Sequence, residues 1–364
     1  MKKNITGKSK QRASHRMTIG IDLGDRCSRY CIVDEQGDVV SEGSFATTKA
    51  GVEKMFKCMA RCRVALETGC HSPWISRQLT RLGHEVIVAN ARQVQLISQS
   101  TRKDDRLDAR TLARLARIDA ALLCPVRHRG VEAQTHLAII RARDALVRAR
   151  TQLVNAARGL TKSFGERLRK CGTEQVGSHL AEGLEPALRD VVKPLLAEVE
   201  TLNQRIAEYS SQIERIAEDQ YPEVARLTKI KGVGTLIALT FVLTVDDPYR
   251  FRQSREIGPY LGLRPGRHSS GRSEPQLHIS KEGDSHLRRL LVQGAHYILG
   301  PFGSDCDLRR WGLKLAERGG KNAKKRALVA VARKLAVLLH KLWVSGAAYD
   351  PLHNSGRPAG VAAA

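Results

Sequence analysis

Aromatic residues are scarce in this chain: 3 Trp, 7 Tyr and 6 Phe make up 4% of 364 residues. So few rings argue against single-strand binding on stacked aromatic platforms. No Cys-x2-Cys pair occurs among the eight cysteines, which stand at 27, 31, 58, 62, 70, 124, 171 and 306. The two Cys-x3-Cys pairs lack the second half of a zinc site, so the cysteines read as reduced, mostly buried thiols. No apolar run approaches the ~18–20 residues that span a bilayer, and the basic N-terminus has no hydrophobic signal core. The expectation is a soluble cytoplasmic protein without a membrane partner. Acids are also in short supply, with 37 Asp and Glu against 61 Lys and Arg, a net charge of +24. An excess of that size points to a polyanionic partner, nucleic acid first.

What the chain does have begins with Thr18-Ile-Gly-Ile-Asp-Leu-Gly24, an apolar run interrupted by Asp22. Residues 1–16, basic and almost without apolar content, read as a disordered arm ahead of it. Apolar residues bounded by glycine predict a buried strand, and a carboxylate on such a strand is costly unless a cation compensates it. Met17–Leu23, Arg29–Val33 and Val39–Phe45 predict three meandering strands. Ala50–Cys62 predicts a helix, Arg63–Leu66 a strand ending in Glu67, Pro73–Leu82 a helix and Glu85–Ala89 a further strand. A long helical region then runs to about Leu123. Three meandering strands followed by strand–helix alternation describe a mixed α/β sheet over 17–130. This is the strand order of the ribonuclease-H-like fold, in which Asp22 and Glu67 stand at metal-binding places. The actin-like and sugar-kinase ATPases open similarly, with Asp-x-Gly before a hairpin, but the second phosphate loop they need is not evident here.

In Thr101-Arg-Lys-Asp-Asp-Arg-Leu-Asp-Ala109, Asp105 and Asp108 are three apart and share one face of a helix. Asp104 suits an N-cap. Acids at a helix start also favour the macrodipole, but with Asp22 and Glu67 upstream, metal binding is the better reading of Asp105 and Asp108. Four carboxylates suit hard cations, and two Mg²⁺ ions would stabilise the attacking and leaving oxygens of a phosphodiester.

From 131 the pattern turns helical. Ile139, Ala142, Leu146, Ala149, Leu153, Ala156 and Leu160 repeat at spacings of three and four, as do Val192, Leu195, Val199, Leu202, Ile206, Tyr209, Ile213 and Ile216. Each series predicts a coiled-coil seam within 131–220, a spacer and assembly device. Ile-Lys-Gly-Val-Gly, with Lys231, Gly232 and Gly234, resembles a helix-hairpin-helix turn that admits phosphate, although a glycine in a tight turn explains it equally well. Beyond it, Leu-Gly-Leu-Arg-Pro carries Arg264, and a Ser-Ser-Gly turn (Ser269, Ser270) lies between Arg267 and Arg272. Ile-Ser-Lys-Glu-Gly, with Lys281, leads to Arg288 and Arg289. A serine hydroxyl is a weak nucleophile until it is oriented and deprotonated, and spacing alone selects neither serine. Between Arg318 and Lys334 there are seven Lys or Arg and no acid, including Lys324, Lys325 and Arg326, on a helix whose other face is apolar at Leu328, Val331, Leu335 and Leu338. That is a basic amphipathic helix suited to a nucleic-acid backbone. It closes a domain over 221–345, and residues 346–364 read as a loose tail.

Taken together and in this order, Ile-Asp-Leu-Gly, Leu-Glu-Thr-Gly, Lys-Asp-Asp-Arg-Leu-Asp-Ala, Ile-Lys-Gly-Val-Gly, Leu-Gly-Leu-Arg-Pro, Ser-Ser-Gly and Ile-Ser-Lys-Glu-Gly resemble the DEDD transposases of bacterial insertion sequences, the bridge-RNA-guided recombinases. The resemblance covers roughly residues 17–345. It implies a RuvC-like (RNase-H-like) N-terminal domain, a central coiled coil and a mainly α C-terminal transposase domain. It implies Mg²⁺ on Asp22, Glu67, Asp105 and Asp108, and Ser270 as the nucleophile of a covalent protein–DNA intermediate, with Ser269 as the fallback. Asp104 stands where the family pattern has a small residue, which leaves Asp104 as the alternative to Asp105; the three-residue step to Asp108 favours Asp105. The implied partners are double-stranded donor and target DNA, a structured guide RNA and further copies of the chain, in a bacterial, nucleoid-associated setting. Two other readings stay open: a RuvC-like junction endonuclease that uses water, and a non-catalytic nucleic-acid-binding protein.

Overall fold

In a computed structural model, the structure describes residues 17–90, 105–266, 277–320 and 322–354. The chain divides into two compact units, residues 1–128 and 129–364.

The first unit is built on five strands: β1 (Thr18–Asp22), β2 (Cys27–Val33), β3 (Val39–Ala46), β4 (Arg63–Glu67) and β5 (Glu85–Ala89), in the order β3-β2-β1-β4-β5. β1, β2 and β3 pair antiparallel as a meander, while β1–β4 and β4–β5 pair parallel. This matches the mixed sheet that the sequence predicts. One face is covered by α1 (Lys49–Phe56) and α2 (Ser72–Arg81), whose Val52, Phe56, Ile75 and Leu79 join Ile19, Ile21, Val64 and Leu66 in one core. Thr48 caps α1 by accepting from the Gly51 N–H at 3.0 Å. The helix α3 (Asp105–Ile118) lies on the opposite face, with Leu112 and Ala116 against Ala65, Ile87 and Ala89 and with Ala109 and Ala113 against Cys31 and Val33.

Gly20, in the middle of β1, allows this approach. A Cβ there would collide with the carbonyl oxygen of Ala109 and the amide of Ala113. A glycine inside a strand often marks such a close backbone approach. The fit between strand and helix therefore rests on small residues: Gly20 on one side, Ala109 and Ala113 on the other.

In the second unit, α4 (Val131–Ser163) and α5 (Pro186–Gln220) pack along one another, joined by two short 3-10 turns. They run antiparallel: Ala133, Leu137 and Ile140 share a core with Ile213, Ile216 and Ala217, and Val154 and Ala157 share another with Val192, Leu196 and Val199. On α5 the expected seam is buried at Val192, Val199, Leu202, Ile206, Ile213 and Ile216. On α4 it is not. Beyond Leu137 the buried positions are Ile140, Val154, Ala157 and Thr161, one residue on from the predicted Ile139, Leu153, Ala156 and Leu160, and Leu160 is exposed. The shift admits polar residues to the interface. Arg143 Nε donates to Ser210 Oγ and an Arg150 guanidinium N–H to Asn203 Oδ1, each at 2.8 Å. An apolar pattern alone could not foresee a register set partly by arginine.

Below the hairpin lie α6 (Glu223–Leu227), α7 (Thr235–Val245), α8 (Ile257–Tyr260), α9 (Ser285–Leu299), α10 (Asp307–Glu317) and α11 (Ala323–Ser345). The base of the hairpin shares one core with these helices, through Leu137 and Ile140 beside Leu239, Leu291, Val331 and Leu335. Residues 346–354 are not a loose tail. Tyr349 packs on that core, Asp307 N–H donates to the Pro351 carbonyl at 2.8 Å, and Asn354 N–H donates to Asp307 Oδ2. The cysteines are all free, but only Cys31, Cys62 and Cys306 are buried; Cys27, Cys58 and Cys70 are exposed, against the expectation. The expected basic arm, 1–16, and the tail beyond 354 lie outside the described residues.

Candidate functional site

The parallel pairing of β1 with β4 matches Ile21 to Leu66, so Asp22 and Glu67 follow side by side at the same edge of the sheet. Each is half-buried. The Gly20 contact seats α3 so that Asp108, one residue before Ala109, meets this edge. Glu67 registers the arrangement. Its carboxyl is pushed above the usual range, first by burial and then by the negative charges of Asp22 and Asp108. Its Oε1 is buried without a hydrogen-bond partner among the described residues. Asp105 opens α3, but its side chain lies outside the described residues, as does Asp104. Among the described residues, no three His, Cys, Asp or Glu converge closely enough to form a metal-holding group.

A divalent cation suits these residues. Like charges held together in a half-buried place are unfavourable alone, and an orphaned carboxylate oxygen is the donor a hard cation takes. The neighbouring loops are braced. Thr47 Oγ1 donates to the Gly24 carbonyl and pairs with Ser28 Oγ at 2.8 Å, holding the turn after Asp22. In the turn after Glu67, Trp74 Nε1–H donates to His71 Nδ1 at 3.1 Å, and Ser72 Oγ meets His128 Nε2 at 2.9 Å. An indole nitrogen only donates, so His71 carries its proton on Nε2, which faces Asp25 Oδ1 at 3.4 Å. This bridge links the loops that follow Asp22 and Glu67. It escaped the sequence reading because 46 residues separate its ends. Gly20 did leave a signal, a glycine inside an apolar strand.

The expected nucleic-acid contacts divide into three sets. Lys231, Gly234, Arg264, Lys281, Lys324, Lys325 and Arg326 are exposed, the last three on the first turn of α11. Gly232 has φ +94° and lies against the Gly294 carbonyl and Tyr297, so the tight-turn explanation of this glycine is sufficient. Arg288 is a clamp within the fold, donating to the carbonyls of Leu261 (2.9 Å) and Glu282 (2.6 Å). Arg289 pairs with Asp144 at 2.6 Å. Arg267, Arg272, Ser269 and Ser270 lie outside the described residues.

The two chain ends flanking 267–276 are described, and they are tied to each other. Gly266 N–H donates to the His278 carbonyl and Ser280 N–H to the Arg264 carbonyl, both at 2.9 Å, with Pro265 bridged to Ile279. Gly262 and Gly283 permit this, since a Cβ on either would strike the backbone of the opposite segment. The described ends of this stretch, 264–266 and 278–280, are thus fixed to each other. Asp284 caps α9 by accepting from the Leu287 N–H at 2.9 Å and pairs with Arg141 at 3.0 Å.

Comparison with known proteins identifies the family. A transposase family model, that of the IS110-type DEDD enzymes, matches residues 19–164, and the model of the transposase IS116/IS110/IS902 family matches residues 224–301. The chain is 31% identical over 337 residues to the transposase for insertion sequence element IS1111A of Coxiella burnetii, covering 89% of this chain and 88% of that one. It is 28% identical over 287 residues to the transposase for insertion sequence element IS1328 of Yersinia enterocolitica, covering 77% and 83%. With a mixed sheet bearing acids at one edge and a helical second unit, the chain belongs to the IS110 family of DNA transposases. No described helix is long and apolar enough to cross a membrane.

Proposed function

We propose that this transposase cuts and rejoins donor and target DNA as a site-specific recombinase, with Asp22, Glu67, Asp105 and Asp108 as ligands of divalent cations and Ser270 as nucleophile. The observation that carries the metal part is Glu67: a buried oxygen without a partner on a carboxyl whose proton affinity is raised between Asp22 and Asp108. Mg²⁺, two ions per site, would supply charge stabilisation for the attacking and leaving oxygens. The carboxylates hold that charge at one sheet edge, and the Gly20 contact fixes the separation between strand and helix ligands.

Ser270 Oγ attacks the phosphorus of the scissile linkage and releases its proton. The bond to the leaving strand breaks, and that strand's oxygen takes up a proton. The other strand, which keeps the phosphate, is then held as a phosphodiester to the serine, while the leaving strand ends in a free hydroxyl. Attack by the incoming strand's hydroxyl reverses the step and frees the serine, so bond energy is conserved. The carboxylates and Ser270 lie far apart in the chain, and further copies of the chain are part of this reading: a composite site is assembled in a homo-oligomer, through the long helices acting as a coiled coil. Pairing with a structured guide RNA would select donor and target, while exposed cations such as Lys231 and Lys324 contact phosphate.

The test is a denaturing gel of protein, Mg²⁺, labelled element-end DNA and RNA transcribed from the flanking non-coding region. A protein–DNA adduct lost in both Ser270→Ala and Asp108→Asn supports the recombinase. Adduct retained in Ser270→Ala moves the nucleophile to Ser269. Free cut ends without adduct identify a nuclease that uses water, and unchanged DNA in every lane identifies a non-catalytic binder.

A further inference from the structure

The helical hairpin is more than a spacer in its charge. Helix α4 carries Arg141, Arg143, Arg148, Arg150, Arg158 and Lys162 against Glu132 and Asp144. Helix α5 reverses the balance, with seven acidic residues against four basic ones. Yet among the described residues no cation of α4 pairs with an acid of α5. Arg141 is used by Asp284 and Arg148 by Asp144. Arg143 and Arg150, seven residues apart and therefore on one stripe, are half-buried and reach only the neutral Ser210 and Asn203. Arg150 Nε is buried with no partner. Burial and the neighbouring Arg150 disfavour the charge on Arg143, with Asp144 opposing them only in part. Arg158 and Lys162, four apart on one face nearer the tip of the hairpin, have no ion-pair partner among the described residues.

Guanidinium groups packed together without an ion pair of their own are electrostatically incomplete, and their planar N–H fork matches phosphate. We infer that the α4 side of the hairpin is a phosphodiester-binding surface on which Arg143, Arg150, Arg158 and Lys162 track a nucleic-acid backbone, of DNA or of RNA. This surface stands independently of the metal–serine chemistry. It reads no bases; its contribution is affinity and orientation.

The salt dependence of binding by the full-length protein tests it, with one duplex DNA probe and one structured RNA probe followed by fluorescence anisotropy. Removing one cation from a phosphate lowers the slope of log affinity against log salt by about 0.9 on duplex and about 0.7 on single strands. Arg143→Gln with Arg150→Gln should lower it by about 1.8 on whichever duplex this surface holds. Arg158→Gln with Lys162→Gln, which breaks no ion pair among the described residues, should do the same. The probe that responds identifies DNA or RNA. Arg205→Gln, on α5 and paired with Glu208, should leave the slope unchanged. The inference fails if both double variants keep the parent slope on both probes. It fails equally if Arg205→Gln lowers the slope as much as they do, or if they change only sedimentation, which would make a second copy's acidic α5 the occupant. Asp108→Asn should lose cleavage yet keep the slope, so the two readings fail separately.

Discussion

At the edge of the β-sheet, Glu67 sits between Asp22 and Asp108 with its charge disfavoured and one oxygen unsatisfied. Beside α9, Asp144 and Asp284 are the reverse. Burial alone would raise both, but Arg289, His286 and Arg148 pull Asp144 below the usual carboxylate range, while the Leu287 N–H, Arg141 and Arg129 do the same for Asp284. The same functional group is thus left uncompensated in one unit and fully compensated in the other. Compensated carboxylates hold elements together; Glu67, set between two acids, is left with its charge disfavoured.

The largest effect that would break this comparison is on catalysis. Asp108→Asn should lower strand cleavage about 10³-fold, the equivalent of about 4 kcal/mol of charge stabilisation, without lowering the melting temperature. Near-parental cleavage would remove Asp108 from the site. Gly20→Ala should cost about 3 kcal/mol or more, because the colliding partner is the α3 backbone and cannot rotate away. Urea titration measures this, and cleavage should fall with it even where the protein stays folded.

Asp284→Ala should cost about 2 kcal/mol, by loss of the α9 cap and by leaving Arg141 and Arg129 without their acid. Asp284→Asn should recover the part due to the cap. The smallest effect has the opposite sign. Glu67→Gln should stabilise the metal-free protein at neutral pH by about 1 kcal/mol, while Mg²⁺ should raise the melting temperature of the parent and not of the variant.

The pH dependence separates the two clusters. The folded-state proton affinity of Glu67 is raised, so the stability it contributes is fully present below its ordinary 4.5 and is lost as pH rises through its folded value. Asp144 and Asp284 are depressed, so their contribution is present above the ordinary 3.8 and is lost as pH falls through their folded values. His286, lowered chiefly by burial, adds to the acid limb: its neutral form is the one the fold accepts, and stability declines as pH drops below its ordinary 6.5. A stability–pH curve for Glu67→Gln that keeps the parental loss at higher pH would show that the cost arises elsewhere.

Much of the first unit was legible in the sequence because continuous apolar runs, glycine boundaries and an isolated acid on an apolar strand are local signals. Asp22, Glu67, Asp105 and Asp108 are nominated by strand order and helix spacing together with the family resemblance, and the side chain of Asp105 lies outside the described residues. The helical hairpin was legible as helices but not in register. Arg143 and Arg150 occupy seam positions that an apolar count assigns to solvent, and neutral partners 67 and 53 residues away accept them. Arg288 and Arg289 look like free cations in a basic stretch until the Leu261 carbonyl and Asp144 are brought to them.

The sequence by itself determined the element order, the mixed sheet, the basic character and the family, since these follow from periodicity, composition and motif order along the chain. Tertiary structure alone decided which carboxyl is left uncompensated, which arginines are already engaged, and how closely α3 approaches β1. Those depend on distances between residues far apart in sequence. A charge takes its meaning from its neighbours in space, and folding is what selects them.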